Sequence, residues 1–160
     1  MIADSALMRR RSILVDLLGS GYGDRPECFR YRIEDHARIV VELIQSLETK
    51  VDFFGHSMGG AVAVVAATMA PRRARHLVLA EPNLDVGGGL LRREIAAYPE
   101  SDYLLYGHAQ MVATASKEGD PIWAGALAIS CPRGIDCAAT SLAIHWRGAN
   151  CCSGYTCRAL

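Results

Sequence analysis

The chain has 160 residues, of which 51% are apolar and 21% charged; this is enough for one buried core, and the balance is globular rather than disordered. Seventeen basic residues offset seventeen acidic ones, so there is no basic field to attract nucleic acid or an anionic membrane surface. The most apolar long stretch, 51–70, contains Asp52, His56 and several Gly and Ser residues and reads as strand, turn and helix instead of a membrane span.

Residues 1–11 lack the apolar core of a signal peptide, and Arg9, Arg10 and Arg11 follow the apolar residues instead of preceding them, which sets a cytoplasmic expectation. Cys28 stands alone, whereas Cys131, Cys137, Cys151, Cys152 and Cys157 crowd the C-terminus. None forms a CxxC pair or a Cys/His zinc spacing. The expectation is free thiols in a reducing compartment, with no metal and no cofactor.

In chain order, residues 12–18 (SILVDLL) read as a buried strand stopped by Gly19-Ser20-Gly21. Residues 19–32 are polar with Gly and Pro and form a loop. A helix follows over about 36–48, with His36, Ile39, Val40, Leu43, Ile44 and Leu47 on one stripe and Glu34 and Asp35 at its positive end. His36 lies on the apolar stripe, which favours a packed histidine over a catalytic one.

Residues 51–54 form a second short strand, and Gly55-His56-Ser57-Met58-Gly59-Gly60 follows without a spacer. A second helix over 58–70 places Met58, Ala61, Val62, Val65, Ala66 and Met69 on one face, and Pro71 ends it. Residues 76–80 (HLVLA) are a third strand. Strands apolar on both sides, alternating with helices, call for a parallel sheet covered on both faces, with the two helices on opposite sides. Beyond Gly87-Gly88-Gly89, residues 90–97 and 103–116 have helical composition, and 122–130 is apolar. From Cys131 onward no period is legible.

Gly55-x-Ser57-x-Gly59 fits the pattern G-x-S-x-G between a strand and a helix. The serine then occupies a sharp turn that lifts its hydroxyl above the carboxyl end of the sheet. Small residues are expected at both Gly55 and Gly59 so that the turn can close, and Gly60 and Ala61 let the helix approach the sheet. The N–H of Met58, at the helix N-terminus, can face a developing oxyanion.

These residues, together with Asp16 to Pro26 (DLLGSGYGDRP) and Arg75 to Ala80 (RHLVLA), resemble the α/β-hydrolase superfamily over roughly residues 12–85. The resemblance implies an incomplete α/β-hydrolase fold: a parallel sheet core with helices on both faces, a lid-like helical region over 86–130 and a Cys-rich tail over 131–160. It implies that Ser57 is the nucleophile, Met58 an oxyanion donor, and Gly55, His56 and Gly59 the rest of the nucleophile elbow. Serine there, where dehalogenase and epoxide-hydrolase relatives carry aspartate, points to the esterase, lipase and peptidase branches.

The same resemblance requires further parts. An oxyanion loop, usually marked by His-Gly, follows a strand that precedes residue 12; residues 1–11 contain neither His nor Gly. The strand carrying that loop belongs in the middle of the sheet, between the strands at 12–18 and 51–54. The acid candidates are Glu81 and Asp85, and the base candidates are His108 and His145. Each is equally readable as an ordinary loop or packed residue. Two functions follow: a serine hydrolase acting on an ester, or secondarily an amide, bond of a small ester-like substrate, its acyl pocket shaped by Tyr98, Tyr103, Tyr106 and Trp123, or an inactive remnant or partner-binding module. An incomplete sheet also favours self-association through exposed edges.

Overall fold

The computed structural model describes residues 11–84, 90–119, 121–130 and 132. Helix α1 spans Ile33–Ser46. It starts earlier than the stripe from His36 implied, because Ile33 lies one turn before His36 and extends the same buried face. Glu34 and Asp35 sit in its first turn, and Asp35 pairs with Arg38 one turn on. Leu47 leaves the helix in an extended conformation.

Strand β1 is Val51–His56, helix α2 is Met58–Met69 and strand β2 is Ala74–Ala80. The strands pair in parallel, with Phe53 opposite Leu77, Phe54 opposite Val78 and His56 opposite Ala80. Arg75 Nε and Nη2 donate to the two carboxylate oxygens of Asp52 at 2.8 and 2.5 Å, and His76 Nδ1 lies 2.9 Å from Asp52 Oδ1. The Arg75 hydrogen bond, reinforced by that of His76 and by both positive charges, holds the Asp52 carboxyl well below the usual carboxylate range. This cluster clips the amino ends of the two strands together.

The main core gathers Ile33 and Ala37 of α1 with Ala61, Val62 and Ala66 of α2, flanked by Val40, Val41, Phe53, Met58, Val65 and Met69. The apolar face read from the sequence of α2 is the face that packs. The expected placement of the two helices is corrected, however. Both lie on one side of the sheet, against each other and against Phe53. The alternation of β1 and β2 turns Phe54 and Val78 to the other side, where they are 48% and 52% exposed.

Residues 12–18 are a second correction. Among the described residues the sheet has two strands, and the segment shows one isolated bridge at Val15. Leu17 and Leu18 are anchored by side-chain packing on Met58, Tyr31 and the helices. A run of Ile, Leu and Val is compatible with a strand, but it joins a ladder only where a neighbour pairs with it, and among the described residues β1 pairs with β2 alone.

The following loop is tightly tied. Gly19 N–H donates to Asp24 O, and Tyr22 N–H donates to Asp16 Oδ2. Arg25 Nη2 donates to Gly21 O and, across 104 residues of sequence, to Ile129 O at 2.6 Å.

Past β2, α3 is Leu90–Ala96. One α-turn, Glu100–Asp102, runs into a wide π-turn, Tyr103–Gly107, and on into α4, His108–Lys117. Helix α5 is Pro121–Ala128. Helices α4 and α5 share a small cluster of Ala115, Ala124 and Leu127. Among the described residues no helix is long and apolar enough to cross a membrane.

Candidate active site

The turn between β1 and α2 is a single residue, Ser57, with φ 51° and ψ −124°. L-residues avoid this region, so it persists only where neighbours hold it. Here they do. Ser57 N–H donates to Ala80 O at 3.1 Å, and Ser57 C=O accepts from Gly60 N–H at 3.0 Å and from Asn83 N–H at 3.2 Å. The serine is thus clamped between the end of β2 and the first turn of α2.

The glycines differ in their roles. A Cβ on Gly55 would lie 2.6 Å from Gly59 O and from Gly60 Cα, both backbone atoms that cannot swing aside. A Cβ on Gly60 would lie 2.7 Å from Pro82 Cβ. A Cβ on Gly59 would meet nothing within 4 Å. The expectation that Gly59 is needed for closure is therefore corrected: Gly55 and Gly60 are the crowded positions, and Gly59 faces open space.

Ser57 Oγ accepts a hydrogen bond from Asn83 Nδ2 at 3.3 Å. Sequence reasoning passed over Asn83. It reaches Ser57 because Glu81 adopts φ 44°, which turns the chain back over the elbow, while Pro82 packs on Gly60. Glu81 precedes a proline, a position biased toward extended backbone, so nothing in the sequence announces the turn. The N–H of Met58 heads α2, where the helix itself provides no acceptor, and its side chain packs against the main core and against Leu18 and Tyr31.

Two of the acid and base candidates, Glu81 and His108, are engaged elsewhere. Glu81 carries a 92% exposed side chain, whose Oε2 is 3.8 Å from His56 Nε2 on the open side of the sheet. His108 Nε2–H donates to Leu127 O at 3.0 Å and stacks edge-on with Tyr103. Asp85 and His145 lie outside the described residues.

His36 is buried, 1% exposed, against the edges of Phe29 and Tyr31. Burial lowers its pKa to about 4, which keeps it neutral and structural. Tyr98, Tyr103 and Tyr106 make edge contacts among themselves, and Tyr106 OH donates to Asp102. Among the described residues no group of three or more His, Cys, Asp or Glu is placed to hold a metal ion.

A strand, a one-residue turn with its serine at positive φ, and a helix, on a parallel sheet, define the elbow of the α/β-hydrolase class. Residues 1–103 match the family described as alpha/beta hydrolase fold, and the chain belongs to that family. It is 37% identical over 71 residues to a 2-hydroxy-6-oxo-2,4-heptadienoate hydrolase of Pseudomonas putida, covering 44% of this chain and 26% of that one. It is 33% identical over 72 residues to haloalkane dehalogenase 2 of Mycobacterium tuberculosis, covering 44% and 25%. A hydrolase of Pseudomonas aeruginosa superposes with a TM-score of 0.54 at 24% identity, over 76% of this chain and 49% of that structure. The matched span is thus about a quarter of the length of these curated relatives.

Proposed function

We propose that the chain carries the nucleophile-bearing part of a serine hydrolase that acts on an ester. The observation that carries this reading is the backbone of Ser57, strained at φ 51° in a one-residue turn at the head of α2. Strain of this kind persists where the fold over-determines it, and such residues cluster at functional sites. A serine rather than an aspartate at this position sets the chain with the hydrolases among its relatives, on the family resemblance, and not with the dehalogenase.

In this reading Ser57 Oγ attacks the ester carbonyl carbon. A C–Oγ bond forms, the hydroxyl proton passes to a base, and the negative charge that develops on the carbonyl oxygen faces the Met58 N–H. The C–O bond to the alcohol then breaks, the alcohol takes the proton, and water releases the acid from the acyl-serine. His145 is the candidate base in family order, and Asp85 or Glu81 the candidate acid. The proposed substrate is a small ester-like molecule.

A second reading, an inactive remnant, draws on two observations: Glu81 projects into solvent and His108 is spent on Leu127 O. A fluorophosphonate probe separates the readings, because only an activated serine displaces its fluoride. Labelling that disappears in Ser57→Ala, with parallel turnover of a short-chain chromogenic ester, supports the first. An unlabelled Ser57 in folded full-length chain supports the second.

A further inference from the structure

We infer that Asn83 is a positioning residue for the Ser57 hydroxyl, its side-chain amide deciding which way the hydroxyl hydrogen points; the inference rests on the hydrolase reading of Ser57. Two independent bonds join the residues. The Asn83 backbone N–H donates to Ser57 O at 3.2 Å, and Asn83 Nδ2 donates to Ser57 Oγ at 3.3 Å. The first fixes the loop on the elbow and is indifferent to the side chain. The second acts on the reacting atom.

A serine hydroxyl has one hydrogen and two acceptor lone pairs. With Nδ2–H occupying one lone pair, Oγ cannot use that direction for its own hydrogen, which must point elsewhere and is left available to a base. The amide also holds χ1 of Ser57, so the nucleophile is oriented before substrate arrives. The support for the amide is itself built. Glu81 takes up a positive φ of 44° and Pro82 is seated on the bare Cα of Gly60. A loop needed merely to leave β2 would require neither a left-handed glutamate nor a contact that tolerates glycine alone.

The test uses the full chain and a fluorophosphonate probe, with the maximal labelling rate and the probe's half-saturating concentration measured separately. Asn83→Leu removes the donor. Asn83→Asp keeps the side-chain shape and the backbone clamp but presents an acceptor, which draws the hydroxyl hydrogen toward position 83 and away from a base. A carboxylate at its ordinary pKa is a poorer general base at neutral pH than an imidazole. Both variants are expected to lower the maximal rate about ten- to a hundredfold, with half-saturation and thermal midpoint unchanged for Asn83→Asp. If Asn83→Leu unfolds the elbow, the near-isosteric Asn83→Asp still decides. Labelling of Asn83→Asp at the wild-type rate, or a loss confined to half-saturation, overturns the inference and leaves the hydrolase reading standing. Wild-type chain that does not label at Ser57 overturns both.

Discussion

Replacing Gly55 by alanine adds one methyl group at the most crowded point of the elbow. Its carbon would sit 2.6 Å from Gly59 O and Gly60 Cα and 2.9 Å from Gly59 C. Carbon atoms in contact prefer about 3.5–4.0 Å, so β1 and the first turn of α2 must part by about 1 Å. Parting them strains the bonds that close the turn, Gly60 N–H to Ser57 O and Ser57 N–H to Ala80 O. Overpacking of this kind costs about 1–3 kcal/mol when side chains can yield; backbone cannot, so about 3 kcal/mol is expected. For a chain of this size that lowers Tm by roughly 6–12 °C. Gly59→Ala is the control. Its methyl meets open space on a helical backbone, and exchanging glycine for alanine there gains up to about 1 kcal/mol. Urea unfolding followed by circular dichroism, with equal m-values, reads both. Equal destabilisation by the two substitutions would refute the steric account of the elbow.

Three other outcomes follow from the geometry. His36 is neutral when folded, with its pKa lowered to about 4 from 6.5; the unfolded chain therefore binds more protons between those values, and stability is full above pH 6.5 and falls toward pH 4. The loss between pH 7.5 and 5 is about 2 kcal/mol, and His36→Leu should remove that slope in pH-dependent urea melts. Ser57→Gly relieves the φ of 51° and is expected to raise stability by about 1 kcal/mol in the same assay while abolishing probe labelling. Asp52 should stay ionised well below the usual carboxylate range in a carbon-detected NMR titration, and Arg75→Ala should return its midpoint toward that range, since the Arg75 hydrogen bond is the largest cause of the shift.

Periodicity made α1, α2, β1 and β2 legible, because a 3.6-residue stripe or a short branched run bounded by Gly and Pro has few alternatives. Periodicity could not say where a neighbour is missing. Residues 12–18 have strand composition, yet pairing depends on what lies beside them. The side of the sheet taken by α1 depends on strand order in space, which the local pattern does not encode. G-x-S-x-G located Ser57, but it could not distinguish the crowded Gly55 from the open Gly59, because crowding there is set by Gly59 O and Gly60 Cα. Asn83 was illegible for a similar reason: it arrives by a left-handed Glu81 before a proline, against the local preference of both residues. The apolar run at 122–130 carried no decisive period, since the whole of α5 is apolar or small.

The four elements around the elbow follow one another without interruption from Ile33 to Ala80, and their main core draws on adjacent elements. Contacts between near neighbours in the chain require less loop closure than contacts between distant segments. During synthesis, which proceeds from the N-terminus at about 5–20 residues per second, this unit has its whole complement of side chains within seconds, well before residue 129 exists. The Arg25 contact with Ile129 O, separated by 104 residues, is necessarily a late event in that sequence. The backbone partners that hold the strained serine, Gly60, Ala80 and Asn83, are likewise all synthesised before that contact is possible.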